Sequence, residues 1–204
     1  MKRLKKYGLG IDRIYGYSIQ ENEKGAFYSI GEVSEYISFL EKKVEQLKIS
    51  SERTTNDGDR IFFYGSEFYC FSNFSSFTLN WKGNLFMTSE HAYHWEKFNT
   101  GKTPYIQWLI MSAPSAHAAY KIAAEHKDLQ ISNWNDIKVD IMYDIIWQKF
   151  IQHPYVRKKL NQTESKEIIE DSWRDDFWGW GMEQDGRNEL GKIWMRVRRE
   201  AFYP

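Results

Sequence analysis

Residues 87–98, MTSEHAYHWEKF, bring together side chains that can exchange protons. On a helix, Glu90 and Lys97 are two turns apart and lie on nearly one face, with Tyr93 between them. A half-buried Glu near a Lys has a pKa that is shifted by burial and by the neighbouring charge, as acid–base sites require. Two interpretations follow: an ordinary salt-bridged amphipathic helix, or one wall of a catalytic pocket.

The histidines of this stretch do not have the spacing of a zinc-binding helix. His91 and His94 are three residues apart and Glu90 precedes both, whereas the zinc-protease motif His-Glu-x-x-His needs a spacing of four with the Glu between. The single cysteine, Cys70, offers no thiolate pair. The sequence also has no P-loop, no dinucleotide-binding glycine motif before a helix and no G-x-S-x-G elbow. We therefore predict no metal and no cofactor.

Aromatic residues make up 17 % of the chain, and its nine tryptophans are concentrated after residue 80. Buried Trp and Tyr need partners for their N–H and O–H groups. This richness favours a pocket lined with rings, and the alternative is a Trp-rich core.

The elements that would position these residues are mostly helices. Strands are predicted in RIFFYG and FTLNWKGNLF, with a turn at 82–84. Helices are predicted over 89–99, 114–126 with Pro114 in the first turn, 137–152, 154–163 and 188–203, and a Gly- and Trp-rich loop over 173–191. The expected fold class is α+β, a mainly helical single domain at 59–204 with a small β-sheet.

Residues 1–58 are predicted to form a separate N-terminal extension of short strands near 11–19, an amphipathic helix at 29–48 and a polar linker. Ser29 and Glu32 form a capping box, and apolar residues follow with spacings of 3, 4, 3, 4 and 3. Such a seam is typical of a short coiled coil. It predicts either a helix docked on its own domain or a homo-oligomer through helix 29–48.

The formal net charge is zero, so the whole chain has no bias toward nucleic acid or anionic membrane. No apolar run reaches the roughly 18 residues that a membrane span needs. A lone cysteine fits a reducing compartment. The start is basic without an apolar segment after it, so no signal peptide is expected. We predict a cytoplasmic protein with no membrane partner.

Several blocks resemble, in order, the signatures of the YbiA-like or NADAR family over roughly residues 60–200. They are FYCFSNFSSF, TSEHAYHWEKF, WNDIKVDIM, QKF, LNQT and DDFWGWGMEQDGRNELGKIWMRVR. Two features depart from the family pattern: residues 1–58 have no counterpart, and Trp180 stands where a smaller or aliphatic residue is common. The second departure predicts a narrower pocket and an altered substrate.

The resemblance implies an N-glycoside hydrolase that needs no metal. Its substrate would be a phosphoribosylamino-pyrimidine intermediate of riboflavin biosynthesis, or ADP-ribose attached to guanine in nucleic acid. Both have ribose C1 bonded to an exocyclic amine. Glu90 is expected as general acid–base, Lys97 as a phosphate ligand or as the amine that attacks C1, and Asp175 as a second carboxylate or a loop cap.

The implied binding residues have separate tasks. Asn73 and Asn188 would hold ribose hydroxyls or the base edge, and the backbone N–H groups of 179–187 would cradle phosphate. Trp134, Trp178 and Trp180 would stack on the base. The other candidates for substrate binding are Phe71, Ser72, His91, Gly179, Gly181 and Gly186. Two alternatives stay open: a non-catalytic sensor that binds ADP-ribose or a nucleotide, and an oligomeric interaction module.

Overall fold

A computed structural model describes residues 20–21, 27–28, 30–52, 58–64 and 67–203. The chain divides into two compact units, residues 1–53 and 54–204. The predicted boundary at 58 and the catalytic role of 59–204 stay predictions.

In the first unit, β1 (Gln20–Glu21) pairs antiparallel with β2 (Phe27–Tyr28), and α1 spans Ile30–Glu52. The helix predicted at 29–48 is present and extends four residues further. The predicted strands near 11–19 and the cap at Ser29 lie outside the described residues.

The strands of the second unit form two separate pairs. β3 (Arg60–Phe63) pairs in parallel with β6 (Glu167–Glu170), and β4 (Leu79–Trp81) pairs antiparallel with β5 (Asn84–Phe86). The predicted turn is present, with Lys82 and Gly83 at positive φ. β6 was not predicted, because EIIE is short and does not alternate.

Six helices complete the second unit: α2 (Ser89–Glu96), α3 (Pro104–Met111), α4 (Ala116–Glu125), α5 (Trp134–Gln152), α6 (Pro154–Asn161) and α7 (Glu189–Phe202). The chain is therefore α+β and mainly helical, as predicted. The sequence did not predict α3, because PYIQWLIM is apolar almost throughout and shows no clear alternation of apolar and polar faces. Pro114 is not in the first turn of α4; it precedes the N-cap Ser115, whose side chain accepts from the N–H of Ala118.

The main core lies between the β3–β6 pair and helices α2, α5, α6 and α7. At its centre the Trp194 ring packs 4.8 Å from that of Phe71, and its indole N–H donates to the Phe71 carbonyl at 2.9 Å. None of the helices in the described part of the chain has the length and apolar character of a membrane span.

Candidate functional site

A cleft of about 470 Å³ opens where the carboxyl ends of β3 and β6 meet α2. This is the position at which α/β folds commonly bind ligands. The lining residues are Tyr64, Ser72, Asn73, Phe74, Glu90, Tyr93, His117, Tyr120, Glu170, Ser172, Arg174, Asp175 and Trp178. The cleft thus combines three carboxyl side chains with a wall of rings.

Glu90 is placed by the start of α2. The side chain of the N-cap, Thr88, accepts from the N–H of His91, so the helix begins immediately before Glu90 and directs it into the cleft. One turn later, His94 Nε2 lies 2.7 Å from Glu90 Oε1. Burial lowers the pKa of His94 despite the Glu90 charge, so we assign a neutral ring that donates its Nε2–H.

Glu170, at the end of β6, is a candidate that the sequence did not reveal. Its side chain lines the cleft, and its Oε2 is buried with no hydrogen-bond partner in the part of the chain that the structure describes. Burial, followed by the charges of Asp175 and Glu90, raises the pKa of Glu170 to about 8.

Asp175, the third carboxylate, has a structural task as well as a place in the wall. Its Oδ1 accepts from the backbone N–H groups of Phe177 and Trp178, at 2.8 Å each. It therefore caps the loop that carries Trp178, the second of the two roles considered for it.

Lys97 follows α2 and is not among the residues that line the cleft. Its Nζ lies 5.0 Å from the centre of the Tyr93 ring and 5.7 Å from that of Trp134. Burial lowers its pKa to about 8, with smaller contributions from Lys138 and Lys127, and the Glu90 charge opposes this shift. The amine is thus desolvated behind the Tyr93 wall.

The loop 72–75 forms another side of the cleft. Its Asn73 carbonyl accepts from the backbone N–H of Glu90 at 3.1 Å, which couples the loop to α2. The Asn73 amide donates to Met142 Sδ at 3.3 Å, while its buried Oδ1 has no partner within the described ranges. That free acceptor fits a hydroxyl or N–H of a ligand.

Two of the three tryptophans proposed to stack on a base do not line the cleft. Trp178 does, edge to face with Tyr93 at 5.5 Å. Trp134 is buried behind Tyr93, with ring centres 4.9 Å apart. Trp180 packs against Phe62 and donates its indole N–H to Asp171 at 2.9 Å. The structure thus gives no support for a pocket narrowed by Trp180.

Phe71 and His91 are also core residues rather than substrate contacts. Phe71 is fully buried against Phe63 and Trp194. Both ring nitrogens of His91 have protein partners, the Thr88 hydroxyl at 2.8 Å and the Ala113 carbonyl at 3.1 Å. Motif residues on the inner side of α2 and of the loop before it therefore hold the wall in place.

In the loop 179–187, five of the nine backbone N–H groups have backbone acceptors and are not free for the expected phosphate cradle. Backbone N–H groups within 179–187 donate to backbone carbonyls; they belong to Trp180, Gly181, Gln184, Gly186 and Arg187. Gly179 and Gly186 permit close packing of the backbone. A Cβ added at Gly179 would lie 2.9 Å from the backbone carbonyl oxygen of Glu170, and one added at Gly186 would lie 2.6 Å from the carbonyl carbon of Trp180. Gly181 has φ +73°, which favours glycine.

Asn188 likewise has a structural role, because its side chain binds the backbone of β6. Its Oδ1 accepts from the N–H of Glu170 at 3.0 Å and its Nδ2 donates to the Ile168 carbonyl at 2.9 Å. It fixes the edge of β6 and with it the position of Glu170.

Further lining residues were missed by sequence reasoning: Tyr64, His117, Tyr120, Ser172 and Arg174. Tyr64 and Glu170 stand at the carboxyl ends of two parallel strands, a position that would have identified them had β6 been recognised. In the described part of the chain, no three His, Cys, Asp or Glu side chains are grouped as metal ligands would be.

Comparison with known proteins assigns the family. The NADAR domain model matches residues 62–201. The chain belongs to the NADAR domain family. An N-glycosidase of Nostoc punctiforme is 33 % identical over 69 % of this chain and 91 % of that protein. A riboflavin biosynthesis protein of Vibrio vulnificus is 35 % identical, but the match covers 63 % of this chain and only 34 % of the longer relative.

A solved NADAR relative shows the same fold. The NMR structure of the Escherichia coli protein YbiA has a TM-score of 0.63, with 28 % identity over 70 % of this chain and 84 % of that one. The curated YbiA of the same organism is named an N-glycosidase and is 28 % identical over 64 % of this chain.

Proposed function

We propose that this NADAR protein is an N-glycosidase that hydrolyses the bond between ribose C1 and an exocyclic amine. The observation that carries the proposal is the cleft itself, in which Glu90 and Glu170 face a wall of rings with the desolvated amine of Lys97 behind it. The names of the Nostoc and E. coli relatives support the same bond type.

The residues of the cleft divide the task. Glu90 exchanges protons with the substrate and with the incoming nucleophile. Trp178 and the neighbouring rings hold the base, and Asn73 Oδ1 accepts from a substrate hydroxyl or N–H. Arg174 is exposed at the cleft, where it can pair with a phosphate that remains in solvent.

Two substrates meet these requirements: ADP-ribose on guanine in nucleic acid, and a phosphoribosylamino-pyrimidine. The second is supported by the name of the Vibrio relative, whose match covers about a third of that protein. A cytoplasmic location, which the lone buried Cys70 favours, is part of the same proposal.

The test is to incubate the protein with a guanine-ADP-ribosylated oligonucleotide and, separately, with the phosphoribosylamino-pyrimidine, and to measure released sugar. We expect release from at least one substrate, and a loss of about 10²–10⁴-fold in Glu90→Gln because proton transfer is removed. Glu125→Gln, an exposed residue on α4, is the matched control and should keep full activity. Binding of either substrate without release would instead indicate a sensor.

A further inference from the structure

The three carboxyl groups of the cleft have different hydrogen-bond environments. Glu90 Oε1 accepts from His94, and Asp175 Oδ1 accepts from two backbone N–H groups. Glu170 Oε2 has no hydrogen-bond partner among the described residues. The absence of a hydrogen-bond donor to a buried carboxyl oxygen favours the neutral acid.

The position of Glu170 is fixed by the backbone rather than by its own carboxyl group. The side chain is 8 % exposed, yet it lines the cleft. Asn188 holds the N–H of Glu170 and the carbonyl of Ile168, which anchors the end of β6. Glu170 thus lines the cleft from a fixed strand end, and its buried Oε2 is not engaged by any described residue.

The charged groups around Glu170 favour its protonated form. Among the described residues, the titratable groups that line the same cleft are Tyr64 beyond β3, Glu90 and Tyr93 on α2, His117 and Tyr120 on α4, and Arg174 and Asp175 in the following loop. Burial comes first, and the negative charges of Asp175 and Glu90 add to it, raising the pKa of Glu170 to about 8. A carboxylic acid at neutral pH is the form that a general acid needs.

We propose that Glu170 is the general acid that protonates the leaving amine, while Glu90 takes the proton of the incoming nucleophile. The proposal rests on the N-glycosidase function. As the C1–N bond breaks, its electron pair stays on nitrogen, which receives the Glu170 proton. Water supplies the oxygen that finally bonds to C1 and gives a proton to Glu90. Return of that proton to Glu170 completes the cycle.

The first test is Glu170→Gln, which keeps the shape of the side chain but carries no transferable proton. We expect kcat to fall about 10²–10⁴-fold with a smaller change in KM. Wild-type activity should fall as pH rises through about 8, where Glu170 loses its proton, and the residual activity of Glu170→Gln should lack that fall. Glu170→Asp, which retains an acid, should recover part of the rate.

A second measurement does not depend on turnover. Because the pKa of Glu170 is raised from 4.5 to about 8 on folding, its stabilising contribution is full below 4.5 and is lost as pH rises to about 8. The Tm of wild type should therefore fall relative to that of Glu170→Gln over this range. Carbon-13 NMR of carboxyl-labelled glutamate, assigned with the variant, should show one group titrating well above the others.

The outcomes separate the two proposals. An active wild type whose rate is matched by Glu170→Gln, or a Glu170 carboxyl that titrates at its ordinary value, overturns the acid role alone. A wild type that releases sugar from neither substrate overturns the proposed function.

Discussion

Lys97, which lies behind Tyr93, has two proposed roles that need different protonation states: nucleophile and phosphate ligand. With its pKa lowered to about 8, Lys97 has an appreciable neutral fraction near that pH. A neutral amine is a nucleophile, whereas a phosphate ligand needs the charged form. The desolvated setting beside two rings therefore favours the role of nucleophile over that of phosphate ligand.

We predict that sodium borohydride, added during turnover, traps a covalent sugar adduct on Lys97. Reduction converts the imine between Lys97 and C1 to a stable amine, and peptide mass spectrometry locates it. Lys102→Met, which removes an exposed lysine, should still be trapped, and Lys97→Met should not. An unlabelled wild type together with an active Lys97→Met would leave Lys97 only the phosphate role.

For individual residues, the sequence predicted five of the thirteen that line the cleft. Glu90, Asn73, Ser72, Asp175 and Trp178 line the cleft as expected. Phe71, His91 and Trp180 do not, because a family motif contains residues that support the site as well as residues that face it. Glu170 was missed because a carboxylate at the end of a four-residue strand resembles a solvated strand end.

Among the elements, the loop before β4 depends on a lysine from the last turn of α5. Lys149 is fully buried and donates to the Ser72 carbonyl at 2.9 Å and to the Ser75 hydroxyl at 2.8 Å. Burial lowers its pKa to about 7, with only a weak opposing effect from Cys70. α5 thus holds the loop that presents Asn73.

We predict that the stability of wild type relative to Lys149→Met rises as pH increases from about 7 to 10.5. The folded state binds this proton more weakly than the unfolded state, so the unfolded chain holds more protons in that range. Above pH 10.5, the variant should be less stable than wild type by roughly 1–3 kcal/mol, because the Ser72 carbonyl and the Ser75 hydroxyl lose their donor. Urea denaturation at several pH values measures the difference.

Lys158→Met, an exposed change on α6, is the matched control for this series and should show no such pH trend. A difference between wild type and Lys149→Met that is flat over the whole range would mean that Lys149 is charged throughout.

Local signals were enough for the β4–β5 hairpin and for most helices. Turn residues mark the hairpin, and caps and apolar periods mark the helices. β6 was not predicted, because it is a strand only through its pairing with β3, which is far away in sequence and leaves no local pattern. α3 escaped because both of its faces are apolar.

At the scale of the whole molecule, the exposed seam of α1 predicts association between copies. The apolar seam predicted from spacing is exposed at Ile37, Leu40 and Val44, at 49 %, 38 % and 52 % of their surfaces. We predict that the full chain is a dimer in solution, because pairing of two such seams removes these side chains from water.

Light scattering behind size-exclusion chromatography would measure this. The double change Ile37→Glu and Leu40→Glu should give a monomer. Ser38→Glu, which adds a negative charge at an exposed position outside the seam, should leave the dimer intact. A full chain that elutes with the mass of one copy at all concentrations would refute the prediction.

The β3–β6 pairing has a consequence for synthesis on the ribosome. One strand begins at residue 60 and the other ends at residue 170, and α7 packs against the later strand. Contacts so far apart in sequence form late, since a long loop must close first. Glu90 is translated early, but Glu170 and the helix α7 that packs against its strand are translated only near the end. A nascent or C-terminally truncated chain should therefore have no working cleft.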